Sequence, residues 1–257
     1  MSNLLRKKLL LLAAICLVAT SSAMAAEEVG AFSPKNFTAT LGMTSDYVFR
    51  GISQTTENFA VQGSFDYAHP AGFYLGVWSS NVSFGGNVEV DYYGGYRNAY
   101  EGLNYDLGVL YYSYPSAHDD PEFNFYEIAA KLSYTFKLSP VEPTIGLSYN
   151  YSPDFFGEDG SASYVNGKLS LGLPAGFGVS GEVGYQTVAG DKVTGHHAGK
   201  DGKNGFDYIH YRVGVSKADI VGFNADISYH DTTEHKFLNA GDNIADGRVV
   251  FTLSRTF

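Results

Sequence analysis

The chain of 257 residues carries 17 Lys and Arg against 27 Asp and Glu, a formal net charge of -10. That balance repels phosphate backbones and argues against a nucleic-acid surface and a polybasic headgroup patch. Its 30 Gly, 20 Tyr and 18 Phe, with a mean hydropathy of -0.12, do not describe a bundle of membrane helices.

Residues 1–25 read MSNLLRKKLLLLAAICLVATSSAMA, with basic Arg6, Lys7 and Lys8, an apolar run from Leu9 to Ala19 and a small-residue exit at Ala23-Met24-Ala25. This layout predicts a secretory signal peptide cleaved after Ala25, since the apolar run falls short of the ~20 residues a spanning helix needs. The lone cysteine, Cys16, lies inside the leader, so 26–257 is predicted to be one domain without thiol, disulfide or lipid anchor. Losing the three basic residues takes the formal charge from -10 to -13.

From residue 36 onward apolar residues alternate with polar ones. Phe37, Ala39, Leu41 and Met43 open the series, followed by Phe59, Val61, Phe65 and Tyr67, then Phe73, Leu75 and Val77. Val88, Val90, Tyr92, Gly94 and Tyr96 come next, then Leu103, Tyr105, Leu107, Val109 and Tyr111, then Tyr126, Ile128, Ala130, Leu132 and Tyr134. Six further faces follow, starting at Ile145, Val165, Phe177, Ile209, Phe223 and Val249. A period of two means strands with one apolar face, and about twelve of them.

Connections of two kinds alternate along the chain. HPAG (69–72), YEGL (100–103), LSPVEP (138–143), LPAG (173–176) and KADIVG (217–222) are tight turns, while roughly 49–58, 82–87, 115–122, 152–162, 189–205 and 231–246 are longer and polar. All turns therefore gather at one end of a meander and all loops at the other, the layout of an outer-membrane barrel. The fold class predicted is all-β, a single transmembrane antiparallel up-and-down barrel. Unpaired strand edges are intolerable in hydrocarbon, so RVVFTLSRTF must close against the first strand. Its last residue, Phe257, is the aromatic mark by which barrel-assembly machinery is expected to recognise such a chain. The expected location is the outer membrane of a Gram-negative cell, with its lipid as the surrounding partner.

With the apolar face toward lipid, the opposite face lines the lumen. Candidate pore-lining acids are Asp46, Asp66, Glu89, Asp91, Asp106, Glu127, Glu182 and Asp226, and candidate bases are Arg50, Arg97, Lys131, Lys168 and Arg212. The excess of acids predicts a weak preference for cations if water passes through. Paired charges that plug the lumen are the competing reading. Tyr93, Tyr112 and Tyr208 also phase inward, and Trp78 phases inward with Tyr74 unless it joins an aromatic girdle.

His118, His196, His197, His230 and His235 fall in or beside the loops near carboxylates, but no spacing matches a metal motif, so none is assigned as a ligand. AGKDGKNG (198–205) lacks the ending of a phosphate loop and reads as a flexible loop; no cofactor is expected. A lipid hydrolase would need a Ser/His pair facing lipid, whereas His210 and His230 phase inward, so no catalytic residue is assigned.

TSDYVFRGISQT (44–55), GFYLGVWSSNV (72–82) and EVDYYGGY (89–96) resemble the TorF-type porin family of proteobacteria. The resemblance implies an outer-membrane barrel of porin type, with Asp46, Arg50 and Gln54 as motif positions. Asp46 and Arg50 are expected to point inward near the outer mouth of the first strand. The combined expectation is a channel for passive diffusion of small hydrophilic solutes, with a lipid-modifying hydrolase or a non-conducting receptor or structural barrel as alternatives.

Overall fold

The computed structural model describes residues 30–84, 86–115, 117, 122–138, 140–190, 205–234, 238–239 and 242–257. The leader and His118, His196, His197 and His235 lie outside them, as does 198–205 apart from Gly205. Residues Ala31–Phe257 form one compact unit.

That unit is a closed antiparallel barrel of β1 (Phe37–Thr44), β2 (Ala60–Ala68), β3 (Phe73–Asn81), β4 (Val88–Tyr100), β5 (Leu103–Ser113), β6 (Phe125–Thr135), β7 (Glu142–Ser152), β8 (Ala162–Gly172), β9 (Phe177–Val188), β10 (Phe206–Ile220), β11 (Phe223–Thr232) and β12 (Arg248–Thr256). Each strand pairs with its chain neighbour, and β1 closes on β12 from Thr40 opposite Thr256 to Thr44 opposite Thr252. Two short ladders lie outside the wall, Val48–Phe49 with Ile52–Ser53 and Leu238–Asn239 with Asp242–Asn243.

Alternation sets the faces. Leu107, Val109, Ile128, Leu147, Val183 and Val213 point outward within their strands and are exposed. Aromatic residues ring both ends of this belt: Phe73, Tyr134 and Phe177 toward the tight turns, and Tyr126, Tyr151 and Tyr229 toward the loops. An apolar band between two aromatic girdles is the exterior that hydrocarbon and its two interfaces select. The interior is lined largely by polar side chains, with two buried clusters, around Ile52, Tyr208 and Ala245 and around Tyr112, Tyr114 and Phe125.

The turns are built for strand twist. Glu101-Gly102, Ala175-Gly176 and Val221-Gly222 all take positive φ, the two-residue geometry that matches antiparallel strands. Where KADIVG is expected to be a turn, β10 instead runs on to Ile220, because a register shift between Lys217 and Ile220 absorbs the extra residues.

Candidate functional site: the barrel lumen

On the strands, the candidate residues occupy the phase opposite the exposed apolar residues. Asp46 and Arg50 point into the lumen by a different route. The first strand ends at Thr44, so both belong to the first loop, 45–59, which folds down into the barrel mouth. This moves Asp46 off the expected first strand into the loop where Arg50 was already expected, and the cause is local. Phe49 pairs with Ile52 across Arg50 at φ 49 and Gly51 at φ 86, a two-residue hairpin with Arg50 at its tip. Any side chain at 51 would collide with Thr232 on β11.

From that tip Arg50 reaches the far wall. Its guanidinium donates to Glu127 Oε2 on β6 at 2.7 Å and to Gln186 Oε1 on β9 at 2.8 Å, and it lies over the Tyr164 ring of β8 at 4.2 Å. Glu127 is completed by Tyr112 at 3.1 Å and Asn150 at 2.9 Å. Burial alone pulls the Arg50 guanidinium down, but Glu127 beside it more than offsets this and holds it above its ordinary value. The guanidinium therefore keeps its positive charge.

A second clasp ties the root of the loop to β12. Asp46 accepts from Ser53 at 2.6 Å, Thr55 at 2.7 Å and Arg248 Nη1 at 3.2 Å. Ile52, Ser53 and Thr55 are buried, so the loop fills the outer half of the lumen. Next to it, Phe84, Tyr114, Phe123, Phe155 and Phe156 of the following three loops stack into an apolar cap.

The half toward the tight turns is open. Lys168, Glu182, Arg212 and Asp226 form a ladder across β8 to β11, with contacts of 2.9, 3.7 and 2.8 Å. On the other wall Asp106 accepts from Tyr74 at 2.7 Å, Asp66 accepts from Ser64 at 2.7 Å and from Tyr93, and Arg97 stacks over Tyr74 at 5.1 Å. Arg97, Asp106, Lys131, Ser148, Asn166 and Lys168 line a cavity of 720 Å³. Lys131 has no side-chain partner among the described residues. Thus the pore-lining candidates divide into a packed outer layer and an inner one beside the cavity.

Trp78 points inward, edge-on to Tyr47 at 5.2 Å, and so is no part of a girdle. Sequence reasoning missed Arg248, Gln186, Asn150 and Tyr47 as lumen groups. The first three were readable from the alternation, since each occupies the polar phase of its strand. Tyr47 was not, because it sits beyond the strand end. His210 and His230 face inward with parallel rings 6.0 Å apart. Among the described residues no group of three or more His, Cys, Asp or Glu could hold a metal.

A family model described as "Bacterial protein of unknown function (Gcw_chp)" matches residues 28–257. No match was found among curated proteins. Among solved structures the chain is similar to the NanC porin, with a TM-score of 0.54 at 10% identity, covering 86% of this chain and 98% of that one. It is similar to the KdgM porin, with a TM-score of 0.53 at 7% identity, covering 86% and 98%. KdgM in complex with disordered oligogalacturonate gives a TM-score of 0.51 at 8% identity, covering 86% and 97%. At these identities the likeness is one of fold.

Proposed function

The chain belongs to the bacterial Gcw_chp family, whose function is unknown, and on that footing we propose that it is a porin-like outer-membrane channel for small hydrophilic solutes. Passage is passive diffusion with a weak preference for cations. The observation that carries this reading is the lumen itself: a wall apolar toward lipid and polar within, with a cavity of 720 Å³ lined by charged side chains. Similarity of fold to two porins and the resemblance of TSDYVFRGISQT to TorF-type porins support it.

The cation preference rests on the acids left over. With Arg248 counted among the bases, acids still lead, and Glu89, Asp91, Asp66 and Asp106 have no basic side chain within ion-pair distance among the described residues. The aromatic C-terminal strand is proposed to engage the barrel-assembly machinery.

The test is single-channel recording of refolded protein in planar bilayers under a salt gradient. Discrete steps with a reversal potential on the cation side are expected. Silence from a folded, heat-modifiable barrel overturns the reading in favour of a non-conducting receptor or structural barrel, the reading that the packed outer layer would then support.

A further inference from the structure

β4 begins at the loop end, and the first two residues of its inward face are Glu89 and Asp91. Both are buried, at 2% and 8% exposure. Glu89 is served by the Tyr47 hydroxyl at 2.9 Å. Burial pushes that phenol well above its ordinary range, and Glu89 adds to the effect, so Tyr47 keeps its proton as a donor. Asp91 differs: its Oδ1 is enclosed and has no hydrogen-bond partner.

Nearby groups are already committed. Arg50 is taken by Glu127 and Gln186, Arg248 by Asp46, and the Tyr112 hydroxyl by Glu127. Asp91 sits in register between Trp78 on β3 and Tyr112 on β5, so aromatic residues flank it on both sides. A buried carboxylate without donor or counter-charge is a rare and costly arrangement that calls for a partner.

We propose that Glu89 and Asp91 form a binding site for one monovalent alkali cation, entered from the loop end beneath the 45–59 segment. Two carboxylates and a phenol supply oxygen ligands for a single positive charge. The described residues hold no cluster of three carboxylate or imidazole ligands of the kind divalent chelation favours. This deepens the channel reading by naming the groups that select the cation, and it rests on that reading for its meaning, though not for its test.

Trp78 is the only tryptophan of the chain, which makes it a reporter placed across from Asp91. Refolded full-length protein in detergent is titrated with thallous ion at constant ionic strength while Trp78 fluorescence is followed. Saturable quenching is expected, displaced by potassium but not by N-methylglucamine. In Asp91→Asn, which keeps the shape and removes only the unpartnered charge, the apparent affinity should fall at least tenfold.

Quenching that rises linearly without saturation, or saturates equally in Asp91→Asn, overturns the site and leaves Asp91 a neutral carboxylic acid. The readout needs no current. A barrel that binds thallium but never conducts refutes the channel alone, and one that conducts without saturable quenching refutes this site alone.

Discussion

Tyr164 lies flat over Gly184, and Tyr93 lies over Gly76, on the lumen face of neighbouring strands. A β-carbon at 184 would come within 2.6 Å of the Tyr164 ring, which has no room to retreat because Arg50 is stacked on its face. Gly184→Ala should therefore cost about 1–3 kcal/mol, the usual penalty of overpacking, read as a lower urea midpoint for unfolding from detergent. Pairing the change with Tyr164→Ala should recover part of the loss. Such contacts show the limit of reading residues singly. Alternation told which face Tyr164 and Gly184 occupy, but a period of two says nothing about which small residue receives which ring, since that depends on the register between the two strands.

Among elements, the segment 45–59 differs most from its expectation. The sequence reading starts this loop at about residue 49, whereas the backbone leaves the wall after Thr44 and turns back through the two-residue hairpin at Arg50-Gly51. The motif around Asp46 and Arg50 was legible as inward and charged. Its partners, Glu127, Gln186 and Arg248, were not, since they come from β6, β9 and β12. Removing one member of a buried ion pair strands the other, at a cost of about 3–5 kcal/mol. Arg50→Ala should accordingly release the segment, seen as faster amide exchange across 45–59 and larger unit conductance. Glu127→Gln, which keeps one acceptor for Arg50, should do the same to a smaller degree. Conductance unchanged in Arg50→Ala would mean the segment does not obstruct the path.

For the molecule as a whole, the exterior was the most legible feature, because lipid imposes one rule on every strand at once. Leu107 stands outward on β5, 61% exposed, within the apolar belt. Leu107→Arg should destabilise the barrel by about 2–4 kcal/mol in lipid vesicles, while the same substitution at exposed Val221 in a tight turn should be near neutral; urea titration followed by tryptophan emission separates the two. The interior was less legible because it answers to no single solvent. Whether Glu182 meets Lys168 and Arg212, or Asp91 meets nothing, is settled by pairwise geometry that no periodicity encodes.

The seam between β1 and β12 joins Thr40 to Thr256 by a hydroxyl contact of 3.0 Å across 216 residues of chain. Every other strand pair of the wall is a hairpin that can form from neighbouring sequence as soon as its turn exists. Joining ends so remote costs about 5 kcal/mol in chain entropy, and nothing recovers that until the whole row of hairpins stands ready. Before then the sheet has two raw edges that hydrocarbon will not accept. Insertion and closure are thus a single kinetic event: the hairpins gather at the watery surface, and the sheet becomes a membrane object only when its first strand meets its last.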